Sequence, residues 1–104
     1  MRFWHFTHAD HVESIRSVGL APGLGINRKV VWLFHTSCDF VESAAEIAKF
    51  HGWTAEEMVC IHLDAPASRL TQRLHTGVWR CAETILPPAI RRITRLDNTR
   101  ISGR

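Results

Sequence analysis

Near the middle of the chain lies a continuous apolar run, Val30-Val31-Trp32-Leu33-Phe34, followed by the polar segment His35-Thr36-Ser37-Cys38-Asp39. An uninterrupted apolar run of this length predicts a buried strand. The next segment predicts a helix over about 39–51, capped by Ser37 or Asp39 and ended by Gly52. Its apolar stripe comprises Phe40, Ala44, Ile47, Ala48 and His51.

The N-terminal side of this run predicts a strand and a helix of its own. Residues 2–7 are rich in aromatic side chains and predict a first strand. A helix is expected over about 9–18, with Val12, Ile15 and Val18 on one face and Gly19 as a left-handed stop. Residues 21–29 contain two glycines and a proline, which is typical of a mobile loop.

The C-terminal side predicts mainly strands. Alternating side chains indicate a strand over 58–63, which Pro66 breaks, and a short helix is expected over 68–75. Strands are expected again over 78–85, after Gly77, and over 90–96. Since the strands outnumber the helices and the late strands follow one another, the pattern favours an α+β fold with a mixed sheet.

Length and composition bound the class of protein. The chain of 104 residues predicts a single domain over 1–104, and 45% hydrophobic with 22% charged residues excludes a disordered or low-complexity segment. No apolar run reaches the roughly 18–20 residues of a membrane span, and the start lacks a signal peptide, so a cytoplasmic protein without membrane contact is expected.

The net charge of +3 is divided unevenly along the chain. Residues 1–64 carry −3 and residues 65–104 carry +6, with a basic C-terminal tail at about 94–104. This asymmetry indicates an anionic ligand or polyanionic partner, with a solvated arginine-rich tail as the alternative.

Cysteines and histidines give no clear metal signal. The three cysteines form no Cys-x-x-Cys pair, which indicates reduced thiols rather than a zinc site or a disulfide framework. His5, His8 and His11 are spaced by three, but they fall on a strand end, a turn and a helix start. Metal coordination by these three histidines is therefore the less favoured alternative.

Glu83 is the residue that fits its predicted strand least well. Alternation over 78–85 places it on the more apolar face with Trp79, Cys81 and Ile85. An inward carboxylate is costly unless it is paired. It either forms a salt bridge with an arginine or lines a cleft and contacts a ligand.

Two strand ends also carry polar side chains. Thr36 and Ser37 follow the central strand, where they either cap the next helix or bind an anion or sugar. His5 and Thr7 alternate with Trp4 and Phe6 on the first strand.

Taken in order, three segments resemble the motifs of the ADP-ribosyltransferase-like superfamily. The first is His5-Phe6-Thr7-His8 with the helix that ends in Gly19-Leu20, and the second is Val31–Ser37 with the alanine-rich helix behind it. The third is Trp79–Pro87, a strand with a glutamate before a proline and a closing strand. Small DNA-targeting ADP-ribosyltransferase toxins are the most similar branch, and RNA 2′-phosphotransferases are a neighbouring one.

The resemblance implies a split mixed β-sheet with two main helices and a central cleft that holds NAD as substrate. It implies that His5 contacts the ribose or phosphates beside Thr7, that Trp32 or Phe34 packs near the nicotinamide, and that Thr36 and Ser37 add hydrogen bonds. Glu83 would hold the nicotinamide-ribose hydroxyl and stabilise the cation that develops as the glycosidic bond breaks. His5 and Glu83 are the predicted catalytic residues.

The expected activity is an NAD-dependent transfer of ADP-ribose to a macromolecular target. DNA or RNA, bound through Arg91, Arg92 and Arg95, is one such target. Where one branch of the family commonly has a tyrosine in the second motif, this chain has Trp32 or Phe34. Cys81 stands where members that modify arginine have a second glutamate. The alternatives are an RNA 2′-phosphotransferase-like enzyme and a non-catalytic nucleic-acid- or nucleotide-binding module.

Overall fold

The computed structural model describes residues 1–22, 30–73 and 77–96, which form one six-stranded sheet and two α-helices. The sheet order is β4-β5-β2-β1-β3-β6. In chain order the elements are β1 (Arg2–His8), α1 (Val12–Val18), β2 (Val31–His35), α2 (Phe40–His51), β3 (Met58–Asp64), β4 (Thr71–Arg73), β5 (Val78–Cys81) and β6 (Ile90–Arg95).

The α+β class is confirmed, but the prediction of a mixed sheet is wrong. Every neighbouring pair of strands in the described sheet is antiparallel. The helix α2 does join two strands of the same direction, β2 and β3, yet β1 lies between them. The strand–helix–strand pattern in the sequence therefore produces no parallel pair.

The two helices cover opposite faces of the sheet. Alternation along β3 sends Val59, Ile61 and Leu63 into the core cluster that contains Ile15 of α1. Met58 and Cys60 point to the other cluster, with Ala44 and Ala48 of α2. Since β3 is buried on both faces at most of its positions, its sequence is apolar almost throughout.

The predicted second helix is confirmed at both ends. Asp39 is its N-cap, because its Oδ1 accepts a hydrogen bond from the Glu42 backbone N–H at 2.9 Å. This contact decides between Asp39 and Ser37. At the other end Gly52 adopts a left-handed conformation with φ +74°. Neither α1 nor α2 is long and apolar enough to cross a membrane.

Three predicted elements differ in the C-terminal part. Instead of a helix over 68–75, a 3₁₀ turn at Ala67–Arg69 leads into the short strand β4. The strand predicted over 78–85 ends at Cys81, which is the last residue of β5 that pairs with β2. The predicted tail starts too early, since β6 continues to Arg95 and Leu96 is only 8% exposed. Residues 97–104, and 23–29 of the predicted loop, lie outside the described residues.

A short bridge joins the end of α1 to the segment after β5. The backbone N–H groups of Leu20 and Ile85 donate to each other's carbonyl oxygens, both at 2.8 Å. Gly19 precedes this bridge with φ +90° and ψ −169°, a conformation that is open almost only to glycine. The segment 82–84, which contains Glu83, is thus held at both ends.

Candidate active site

The sheet opens between β1 and β2, and we call this opening the β1–β2 split. The two strands are in register only at Phe3–His35 and Trp4–Phe34, whereas β1 pairs with β3 along its full length. From His5 onward the backbone of β1 therefore has β3 as its only strand partner among the described residues.

The side chain of His5 bridges the β1–β2 split. Its Nδ1 lies 2.8 Å from the carbonyl oxygen of Trp32. Because a carbonyl oxygen only accepts hydrogen bonds, Nδ1 carries the proton and the neutral ring leaves Nε2 as an acceptor. Burial lowers the pKa of His5 below 6.5, against the opposite effect of the Trp32 hydrogen bond. His5 is therefore a neutral acceptor at neutral pH.

Two more histidines lie near His5. The positive charges of His11 and His51, when present, lower the pKa of His5 further, and His11 acts on His51 in the same direction. His11 is fixed by a 2.9 Å hydrogen bond between its Nδ1 and the buried Thr7 hydroxyl. His51 stacks on Trp53 with 4.1 Å between ring centroids and 8° between planes. The split thus leads into a cluster of imidazoles.

The described part of the chain gives no support to a metal centre in this histidine cluster. Within residues 1–22, 30–73 and 77–96, no three His, Cys, Asp or Glu side chains are arranged to hold a metal ion. His8 contacts the Trp53 ring edge to face instead, with 5.4 Å between centroids. The metal alternative raised by the spacing of His5, His8 and His11 therefore has no structural support in this part of the chain.

The two aromatic candidates on β2 occupy different surroundings. Trp32 is half-buried beside the split, and the Arg80 guanidinium lies 5.9 Å from its ring centroid. Phe34 is buried in the core cluster beneath α2, where its ring packs against Phe6 at 5.6 Å. Phe34 therefore serves the core, whereas Trp32 belongs to neither core cluster.

Thr36 and Ser37 lie away from His5. The backbone N–H of Thr36 donates to the Arg2 carbonyl at the start of β1, three residues before His5 and thus roughly 10 Å away along the strand. Ser37 is hydrogen-bonded to His35, with 2.7 Å between Oγ and Nδ1. The structure does not bring these two hydroxyls together with His5 and Thr7.

Glu83 is exposed, so the prediction that it faces inward is wrong. The alternation that placed it inside requires a strand as far as Ile85, but β5 ends at Cys81 and Glu83 sits in a bend. Its position is still informative. Cys81 pairs with Val31, next to Trp32, so Glu83 follows β5 at the sheet end where the split opens.

The arginines predicted to bind a polyanion are all exposed on β6, but they have different neighbours. Arg91 forms an ion pair with Asp64 at 2.8 Å. Arg92 pairs in register with His62 and lowers the pKa of that imidazole, after burial as the larger cause. Arg95 donates to the Glu56 carbonyl oxygen at 3.3 Å.

The sequence predicts His5, Thr7 and Trp32 as site residues but does not predict His51 and Trp53. The sequence signal for these two residues is the His-Gly-Trp segment at the end of the predicted helix, and only tertiary contacts connect that segment to His5. His11 stands out in the sequence by its spacing alone, and its hydrogen bond to Thr7 arises because α1 begins so soon after β1.

The lowered histidine pKa values predict a loss of stability in mild acid. Burial is the largest cause for His5, His51 and His62. Since the unfolded imidazoles bind protons more readily, this stability is present above pH 6.5 and is lost as pH falls below it. Thermal unfolding is expected to show a lower Tm at pH 5 than at pH 7. A Tm that is unchanged or rises would contradict the burial of these rings.

Two carboxylates contribute to the pH dependence of stability over a second, separate pH range. Hydrogen bonds from Thr54 lower the pKa of the Glu57 carboxyl below 4.5. A hydrogen bond from Arg91 lowers the pKa of the Asp64 carboxyl below 3.8. Their contribution is therefore lost only at lower pH than that of the histidines. A single series of Tm measurements against pH therefore separates the stability lost through the histidines from the stability lost through the carboxylates.

These features define an α+β domain with an antiparallel sheet. Two central strands of that sheet, β1 and β2, separate at His5, whose ring is neutral. No protein-family model matches the chain, and no curated protein matches it either.

Proposed function

We propose that the chain is an NAD-dependent ADP-ribosyltransferase whose site lies at the β1–β2 split. It cleaves the nicotinamide–ribose bond of NAD and transfers ADP-ribose to a macromolecular target. The observation that carries this proposal is the Nε2 of His5, an acceptor without a proton, fixed in an opening of the sheet. Such an atom suits a ribose hydroxyl, which is a hydrogen-bond donor.

The neighbouring groups suit the rest of the substrate. The half-buried ring of Trp32 offers an apolar surface for the nicotinamide, and Arg80 beside it offers a positive charge for the pyrophosphate. Thr7 and its partner His11 extend the polar wall from His5. Thr36 and Ser37 have no part in this arrangement because they lie away from His5. Phe34 has none because it is buried in the core.

Bond cleavage requires that the site stabilise a positive charge on the ribose. The C–N bond to the ribose breaks, nicotinamide leaves with the electron pair, and the ribose carbon develops positive charge until the target's nucleophile bonds to it and loses its proton. A nearby carboxylate lowers the energy of that cation. Glu83 supplies it from the exposed bend after β5, so its field is screened by water more than that of a buried carboxylate.

The test is turnover of NAD labelled in its adenosine portion, by the wild-type protein and by Glu83→Gln. Because Glu83 is exposed, the variant is expected to lose activity by about tenfold, not by several orders of magnitude. Glu46→Gln, at an exposed position on α2, is the matched control and should retain full activity. Equal turnover by all three proteins would remove Glu83 from the mechanism.

A non-catalytic nucleic-acid-binding module on the same fold is the second candidate, and the exposure of Glu83 favours it. It predicts that NAD neither turns over nor changes the Tm. Turnover by the wild-type protein excludes this candidate.

A further inference from the structure

A basic groove lies at the β6 edge of the sheet, separated from β1 and the β1–β2 split by the strand β3. Its volume is about 310 Å³, and its lining residues are Arg16, Pro87, Ile90, Arg91, Arg92 and Ile93. Arg16 projects from α1, whereas Arg91 belongs to β6, so positive charge comes from two separate elements. Ile90 pairs with Leu63 and Ile93 pairs with Ile61, and the other partners of Leu63 and Ile61 are Phe3 and His5. The groove therefore runs beside the first half of β1, with β3 between them.

We infer that this groove binds the sugar-phosphate backbone of a single-stranded nucleic acid. The inference does not depend on NAD turnover. Arginine is well suited to phosphate because its guanidinium presents a planar fork of donors. The arginines here flank an apolar floor, formed by Pro87, Ile90 and Ile93, against which a sugar or an unstacked base can pack.

The shape of the groove favours a single strand. Its volume is at the small end of the roughly 300–1,000 Å³ range of ligand sites, so it accommodates about one nucleotide unit and not the width of a duplex. The strand β6 forms the edge of the described sheet, which lets a polymer continue past the groove.

The charges of the groove are not equally available. Arg16 is exposed and makes no ion pair with any residue in the described ranges. Arg91 is partly neutralised by Asp64, which also lies 3.7 Å from Arg2. Arg92 lines the groove, but its positive charge also lowers the pKa of His62 on the other face of the sheet. Arg16 and Arg91 are therefore the principal phosphate ligands.

Arg95 was predicted to share this role, but it lies elsewhere. It pairs with Val59, which pairs with Thr7, so it occupies the end of β6 remote from Ile90. Its guanidinium donates to the Glu56 carbonyl. Arg95 thus provides a matched control: an exposed arginine of the same strand, outside the groove.

The test is binding of a fluorescein-labelled single-stranded oligothymidylate, without NAD, over a range of salt concentrations. Arg16→Ala and Arg91→Ala are each expected to weaken binding about three- to fivefold. Each should also reduce the slope of log affinity against log salt by about 0.7. Arg95→Ala should change neither quantity.

Asp64→Asn supplies a test in the opposite direction. It removes the carboxylate that neutralises Arg91, so it is expected to tighten binding, which a misfolded variant cannot do. The Tm of every variant is measured in parallel. The inference is overturned if Arg95→Ala weakens binding as much as Arg16→Ala, if duplex DNA binds as tightly as the single strand, or if the wild-type protein does not bind.

Discussion

Gly19→Ala is expected to remove much of the stability of the protein, about 3 kcal/mol or more. Two independent effects add. The backbone of Gly19, with φ +90° and ψ −169°, is strained for any residue with a side chain. A Cβ at this position would also overlap the carbonyl oxygen of Ile85, which accepts the Leu20 hydrogen bond. Relief of that overlap breaks the bridge between α1 and the Glu83 segment.

Gly52→Ala is the matched control. Gly52 also has a positive φ, +74°, but an added Cβ there meets no atom within 4 Å. Only the left-handed conformation then costs free energy, about 1 kcal/mol. Thermal unfolding should show a fall in Tm of roughly 15 °C or more for Gly19→Ala and roughly 4–8 °C for Gly52→Ala. Equal losses would mean that the contact between Gly19 and Ile85 is unimportant.

The elements that the sequence predicted correctly are those defined by local patterns. The run at 30–34 became β2, the alternation at 58–63 became β3, and the cap at Asp39 with the stop at Gly52 bounds α2. Each depends on side-chain periodicity or backbone preference within a few residues. These local preferences match the folded structure because the tertiary contacts favour the same conformations.

The elements that it missed depend on which strand lies beside which. β4 is a polar segment of three residues, and pairing with β5 alone makes it a strand. The alternation over 78–85 predicts Glu83 inside because periodicity cannot show that the strand β5 ends at Cys81. At the candidate site, His5 and Thr7 share one strand and were found together. His51 joins them only through the packing of α2 on the sheet.

His5→Asn is expected to reduce NAD turnover about hundredfold, the loss typical of removing one positioned hydrogen-bond partner. The asparagine amide N–H can replace Nδ1–H as donor to the Trp32 carbonyl, so the split keeps its bridge. No atom of asparagine reaches the position of Nε2. Turnover of labelled NAD and the Tm are measured on the same preparation.

His62→Asn is the control for this prediction. His62 is half-buried on β3 and bonds to Thr94 through Nε2 at 2.9 Å, away from the split. It should retain turnover, even if its Tm falls as much as that of His5→Asn. Comparable loss of turnover in both variants would indicate a general effect of stability and contradict a specific role for His5.

The state of the His5 Nε2 atom tests the central claim most directly. In the free protein, the imidazole ¹⁵N spectrum at neutral pH should show His5 protonated at Nδ1 only, because Nδ1–H donates to Trp32. Addition of NAD should move the Nε2 resonance saturably, in the direction of an accepted hydrogen bond, and leave that of His62 in place. A His5 Nε2 resonance that does not respond to NAD at saturating concentration would contradict a nucleotide site at the β1–β2 split.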